Sequence, residues 1–214
     1  MALVIELSVI GPVQSQECAG TPREWLDLIE SRLSANDSVR LTEPVNCLSH
    51  PAEFYVSHYD DFIKDGVMKR IEAETRNERL RVFKLLMPLA RSGNRDLSLE
   101  AMAALAYYRY HPSADMMGIY PDGPKKAVLL AIVGQRRSFI WAMNQYEILD
   151  RAGDVGAGDK TIAKMAYLNL LYYLAEPGSL EFVKDIIRRP ESDSIIARAQ
   201  LIIERIYQLN PETK

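Results

Sequence analysis

Apolar residues recur at helical spacing along nearly the whole chain after residue 20. The first such set is Trp25, Leu28, Ile29 and Leu33, which fall on one face of a helix. The sequence TPRE at residues 21–24 precedes this face and fits a capping box with proline at the first helical position. The pattern therefore predicts a first helix that begins at Pro22.

The same spacing predicts seven further helices and one long loop. The predicted helices cover residues 52–74, 77–91, 98–110, 124–150, 161–175 and 180–188, and a last helix follows Pro190 and runs to about residue 208. Residues 36–51 are polar, contain Pro44 and Pro51, and are predicted as a loop. The segment 124–150 is one helix or two around Gly134, while 161–175 is apolar nearly all round, which is typical of a central helix.

These elements predict an all-α fold of about eight helices stacked as antiparallel pairs, with a non-repetitive helical bundle as the alternative. We expect one domain over residues 16–214, with N-terminal helices and a loop in 16–76 and repeat-like helices in 77–208. The 214 residues are 48% hydrophobic and 26% charged, which is typical of a globular chain. Because the net charge is −3, a nucleic-acid partner is not expected. No apolar run in the sequence reaches the length of a membrane span.

The first fifteen residues resemble a secretory signal peptide. Residues 3–13 are mostly apolar, and cleavage after Ser15 would leave a chain that starts at Gln16. No Lys or Arg precedes the apolar run and Glu6 interrupts it, so a buried N-terminal strand in a cytoplasmic protein is the alternative. The leading prediction is a periplasmic or secreted protein.

The two cysteines, Cys18 and Cys47, would both remain after this cleavage. In an oxidising compartment they would form a disulfide that fastens the first helix to the segment after it. In the cytosol they would be two free thiols, and neither belongs to a CxxC redox motif.

Two distant stretches share the pattern [ST]-[LI]-x-x-M-A-x-L, at residues 98–105 and 161–168, and each is followed by YYxxxP. Before the first copy stands the sequence LLMPLARSGN, at residues 85–94. This segment, continued through residues 105–108, resembles a Sel1-like repeat, a relative of tetratricopeptide repeats that is built from stacked antiparallel helix pairs. The second copy departs from that pattern, because residues 153–158 replace the compact turn.

The resemblance implies a protein that binds another protein or peptide as adaptor or scaffold. A toxin-neutralising partner is a narrower version, which export, small size and helical build permit. Such a stack exposes a concave surface. The residues predicted to form the partner-binding groove are Tyr107, Tyr108, Tyr110, Tyr172 and Tyr173, with Arg136 and Arg137 as charge anchors. Arg137 also has the spacing to stack on Trp141. The sequence favours a structural ion pair of one of these arginines with an acid, with the groove role as the alternative.

Catalytic chemistry is the competing hypothesis. His58 and Asp61 lie three residues apart and, with His111, are the candidates for a small helical enzyme or a metal-binding protein. The glycine-rich segment 153–161 lacks phosphate-loop spacing, because Asp159 separates the last glycine from Lys160. No catalytic residue, cofactor or metal is predicted for the leading hypothesis.

Overall fold

The computed structural model describes residues 18–37, 40–64, 66–152 and 156–213, and these residues form helices with no strand among them. The all-α prediction is confirmed, with twelve α-helices in the described residues where about eight were expected. Their bounds are α1 Pro22–Ser34, α2 Thr42–Ser57, α3 Tyr59–Phe62, α4 Val67–Arg76, α5 Arg79–Ala90, α6 Arg95–Tyr107, α7 Ser113–Met116, α8 Pro124–Val133, α9 Ser138–Arg151, α10 Ala157–Leu174, α11 Leu180–Arg188 and α12 Asp193–Leu209. The predicted signal peptide, residues 1–15, lies outside the described residues.

Helix α1 begins as the capping box predicts. The Thr21 backbone N–H donates to Glu24 Oε2 at 2.6 Å, and the Glu24 N–H donates to Thr21 Oγ1 at 3.3 Å. This exchange satisfies two of the backbone donors that the start of a helix leaves open. Leu26 and Ile29 are the fully buried residues of α1.

The predicted loop at residues 36–51 is wrong, because α2 starts at Thr42 and continues through both prolines. Pro44 lies in the first turn, where the missing N–H has no intrahelical partner to lose. Pro51 lies inside the helix and removes one hydrogen bond. A buried stripe at helical spacing offsets this cost, formed by Val45, Leu48, Ala52 and Tyr55.

Three of the four extra helices come from breaks inside segments that the sequence pattern joined, and the fourth, α7, lies between two predicted helices. The helix predicted over residues 52–74 is interrupted at His58 and at Gly66, where φ is 87°. In the segment 124–150, Gly134 takes φ 75° and ends α8, so the two-helix alternative holds there. Glycine adopts this left-handed conformation without the steric cost that a side chain brings.

Helix α10 lies at the centre of the packing, as its apolar sequence predicts. Helices that are neighbours along the chain pack together in the pairs α1–α2, α5–α6, α9–α10 and α11–α12. Helix α10 also packs against α8 and α12 and contacts α2 and α3 from the N-terminal half. The two halves of the chain therefore share one core around α10.

Two polar side chains of α10, Lys164 and Asn169, are buried, and both have hydrogen-bond partners. The Asn169 amide donates to the backbone carbonyl of Tyr59 at 3.3 Å. Asn169 also accepts a hydrogen bond from Arg198 of α12, which pairs with Asp60 at 2.8 Å. This network joins α3, α10 and α12.

Candidate functional site

Helix α9 buries one side and exposes two large apolar residues on the other. Ser138, Ala142 and Tyr146 are buried at four-residue spacing, and α9 packs on α10. On the outward side, Ile140 is 53% exposed and Ile148 is 51% exposed. The two isoleucines are eight residues apart, about 12 Å along the helix, with the exposed Asn144 between them. Exposed apolar residues aligned on one helix face are more informative than scattered ones.

Arginines stand at both ends of this patch. Arg137, Ile140, Asn144, Ile148 and Arg151 follow one another at three- and four-residue spacing, so they share one side of the helix. We call these five residues the α9 outer face. Its middle holds two isoleucines on either side of Asn144, and its two ends are positively charged.

The arginine side chains point largely into solvent. Arg151 Nη2 lies 3.4 Å from Glu147 Oε2 with the side chain 80% exposed. Arg136, next to the face, pairs with Glu176 at 2.5 Å, so it makes the predicted ion pair at the surface of the protein. Trp141, the predicted stacking partner of Arg137, contacts other side chains. Lys126 Nζ lies 5.1 Å from the centroid of the Trp141 ring, and the Trp141 indole N–H donates to Asp122 at 3.1 Å.

The predicted groove tyrosines of α6 are internal. Tyr107 and Tyr108 are only 4% and 2% exposed. Burial raises the pKa of both hydroxyls above the usual value for tyrosine. Such side chains present almost no surface to a large partner. Tyr110, which follows them, stacks on Phe83 with ring centroids 4.4 Å apart.

The second tyrosine pair, on α10, mainly connects helices. The Tyr173 hydroxyl donates to the backbone carbonyl of Phe62, and burial raises its pKa. The Tyr172 hydroxyl accepts from Arg205 Nη1 at 3.5 Å, and the same guanidinium lies 4.5 Å from the Tyr172 ring centroid. Of the seven predicted partner-binding residues, only the two arginines lie on an open surface.

The residues of the enzyme alternative have ordinary local partners. The His58 ring stacks on Phe54 at 4.0 Å between centroids. Asp61 pairs with Lys64, whose hydrogen bond lowers the pKa of the Asp61 carboxyl. His111 is exposed at the surface. Within the described ranges, no three His, Cys, Asp or Glu side chains are grouped as metal ligands would be.

A charged pocket that the sequence did not predict lies between α9, α10 and the start of α12. It has a volume of about 370 Å³. Lys164 Nζ sits at its base, 2.6 Å from Asp150 Oδ1 and 2.5 Å from Glu191 Oε1. The same nitrogen lies 4.9 Å from the centroid of the Tyr146 ring, and the Tyr146 hydroxyl donates to Glu191 at 2.8 Å. Because these charges satisfy one another, the cluster serves to join the helices.

The ion pair of Asp150 makes folding stability depend on pH. The hydrogen bond from Lys164 holds the pKa of Asp150 below its ordinary value of 3.8. A carboxyl with a lowered folded pKa stabilises the protein fully above its unfolded pKa, and the contribution is lost as pH falls through the folded pKa. We expect Asp150→Asn to lower the urea midpoint at pH 7 and to have a much smaller effect near pH 2.5. Equal effects at both pH values would contradict this assignment.

We compared the chain with known proteins and searched its helices for membrane spans. The chain matches no protein-family model, no curated protein and no solved structure. The Sel1-like resemblance therefore stays a prediction. None of the helices in the described part of the chain has the length and apolar character needed to cross a membrane.

Proposed function

We propose that the protein is an exported helical protein that binds a partner protein through the α9 outer face. The observation that carries this proposal is the alignment of two half-exposed isoleucines, Ile140 and Ile148, between arginines on one helix face. Apolar patches rimmed by polar residues are typical of protein interaction sites. Arg137, which the sequence suggested as a charge anchor, belongs to this face.

Burial of the two isoleucines against a partner would contribute a binding free energy typical of a specific contact. Complete burial of an isoleucine side chain is worth about 1.5–3 kcal/mol, and each of these residues has about half of its surface left to bury. Together they contribute about 2 kcal/mol, or roughly a thirtyfold change in affinity. The arginines add specificity and a faster association with an acidic partner.

Charge complementarity defines the partner segment. Arg137 and Arg151 are 14 residues apart, which is about 21 Å along a helix. A complementary segment carries apolar residues in its middle and carboxylates near both ends. A second copy of α9 does not fit, because antiparallel pairing would place Arg137 of one copy beside Arg151 of the other.

Export is supported by the cysteines. Cys18 and Cys47 lie at bonding distance, with their Cα atoms 5.4 Å apart. Disulfides persist mainly in oxidising compartments, which agrees with the signal-peptide-like residues 1–15. A periplasmic or secreted protein that neutralises a toxin is a narrower form of the same proposal.

The first test is loss of the partner on charge insertion. We expect Ile140→Asp with Ile148→Asp to weaken recovery of a stoichiometric partner from producing cells at least thirtyfold, because two carboxylates replace the apolar centre. The matched control is Leu80→Asp on α5, which changes a residue that is 64% exposed. The tagged proteins are compared by quantitative mass spectrometry at equal folded concentration.

Two outcomes would overturn this proposal. One is a partner retained equally by the double variant and the wild-type protein. The other is a partner lost equally from the Leu80→Asp control, since that loss would reflect surface charge in general rather than the α9 outer face.

A further inference from the structure

A small pocket lies beside the disulfide, far along the chain from the α9 outer face. Its volume is about 160 Å³, and its walls come from the start of α1 and from α2, α4 and α6. The residues that give it chemical character are Trp25, His50, Glu74, Tyr107, Tyr108 and the Cys18–Cys47 pair. We call it the disulfide pocket.

Tyr107 and Tyr108, whose side chains are almost completely buried, line this pocket, and their hydroxyls have no hydrogen-bond partner among the described residues. Their rings stand at 74° to each other with centroids 5.8 Å apart. Neither hydroxyl oxygen belongs to the fully buried side-chain atoms that lack a partner, so water reaches both. Hydroxyls that water reaches and no protein group binds are available to a ligand that fills the pocket.

The electrostatics of the pocket favour a cation over an anion. Glu74 is the one acidic side chain in its lining, and its charge acts on both tyrosines, raising their pKa after the larger effect of burial. Glu78 has the same effect on Tyr108. Carboxylates and aromatic ring faces both attract positive charge and repel negative charge.

The basic groups around the pocket are engaged with other residues. His50 pairs with Glu53 at 3.2 Å, and Arg70 lies 4.0 Å from Glu74 while donating to Tyr55 at 3.1 Å. Arg79 donates to the Thr75 hydroxyl at 3.3 Å. The arginines are not part of the lining, whereas the His50 ring is and keeps its pair with Glu53. The aromatic walls and the Glu74 carboxylate, which has Arg70 4.0 Å away, are the lining groups that attract a cation.

We propose that the disulfide pocket binds an alkylammonium group. The ammonium N–H groups donate to the two tyrosine oxygens and to the Glu74 carboxylate, while the alkyl chain lies against Trp25. The size agrees, since a cavity of about 150 Å³ holds a benzene molecule and a butylammonium ion is smaller. The source of the group is a small amine or the side chain of a lysine.

The test uses n-butylammonium as the probe and the two indole N–H signals as reporters. Trp25 lines the pocket, whereas Trp141 lies on α9 and serves as an internal control. We expect butylammonium at constant ionic strength to shift the Trp25 signal with saturation in the millimolar range and to leave Trp141 unmoved. The neutral isostere 1-butanol should bind at least tenfold more weakly, and butyrate should not bind.

Two variants measure separately how much the Glu74 charge and the two tyrosine hydroxyls contribute to binding. Glu74→Gln should weaken binding at least fivefold, and Tyr107→Phe with Tyr108→Phe, which keeps both rings, about threefold. The control is Glu181→Gln, which removes a carboxylate from α11 and should leave binding unchanged. Equal binding of 1-butanol, preference for butyrate, an unmoved Trp25 signal or full binding by Glu74→Gln would each overturn the proposal.

A further titration identifies the source of the ammonium group. Tighter binding of N-acetyl-lysine amide than of butylammonium upholds the proposal and assigns the pocket to a peptide lysine. Weaker binding of the lysine derivative upholds it and assigns the pocket to a free amine. The α9 outer face takes no part in these measurements, so their outcome is independent of the proposed function.

Discussion

Replacement of Lys164 by alanine should lower the free energy of unfolding by about 3–5 kcal/mol. The Lys164 side chain is only 6% exposed, and its ammonium group bridges Asp150 and Glu191. Removing it takes the shared cation from two neighbouring carboxylates, of which Asp150 keeps Arg189 at 3.4 Å and Glu191, only 10% exposed, is left unpaired. An uncompensated charge in a buried site is strongly destabilising. Urea unfolding at pH 7 measures the effect.

The control for this prediction is Lys64→Ala, which removes a lysine that is 71% exposed and pairs with Asp61. An exposed ion pair contributes little, so the midpoint of this variant should stay close to that of the wild-type protein. A Lys164→Ala protein as stable as Lys64→Ala would show that the carboxylates of the charged pocket do not depend on Lys164. The helices that it joins would then need another explanation for their packing.

Loss of the disulfide should cost about 3.5 kcal/mol. Cys18 and Cys47 are 29 residues apart, and a cross-link that closes a loop of this size restricts the unfolded chain by about that free energy. The expected result is a lower urea midpoint for the variant Cys18→Ser with Cys47→Ser, and a similar midpoint for the reduced wild-type protein. Serine keeps the size of the side chain, so no large cavity forms at the site.

The single variants Cys18→Ser and Cys47→Ser complete this test. If the sulfurs are bonded, each single variant loses as much stability as the double variant, because either one opens the loop. Additive losses in the single variants, or a midpoint that reductant does not move, would contradict the disulfide.

Local signals in the sequence were enough to place several helix ends. The capping box predicted the start of α1, and Gly178 with Pro190 predicted α11 at the bounds that the structure has. The prediction was wrong where tertiary packing overrides a local signal. Pro51 indicates a loop by itself, but the apolar stripe of α2 packs against α6 and α8 and keeps the helix intact.

The candidate site was only partly visible in the sequence. Arg136 and Arg137 stand out in the sequence because they interrupt an apolar region, whereas nothing in the sequence distinguishes Ile140 and Ile148 from core residues. Their exposure depends on which side of α9 meets α10, and that side is marked by Ala142 and Tyr146. The sequence does contain a signal for Lys164, a single cation on an otherwise apolar stretch of α10, which is typical of a buried ion pair.

The tyrosines show what residue types alone leave open. The sequence predicts Tyr107, Tyr108 and Tyr173 in a groove, because a tyrosine ring can pack in a helix stack while its hydroxyl reaches water or a partner. In the structure the alanine-rich face of α6 lets neighbouring helices approach so closely that the rings of Tyr107 and Tyr108 are enclosed. Burial of this kind depends on helix spacing, which the spacing of residues along the chain does not specify.

The central claim, that the α9 outer face binds a partner protein, is tested most directly by photo-cross-linking in producing cells. A benzophenone amino acid replaces Asn144, which lies between the two isoleucines, and the control carries it at Lys69 on α4, an exposed position in the other half of the chain. We predict one cross-linked protein from position 144 and none from position 69, with the cross-link in an apolar segment that has carboxylates near both ends. No adduct at position 144, the same adduct from both positions, or an adduct with a second copy of this chain would contradict the claim.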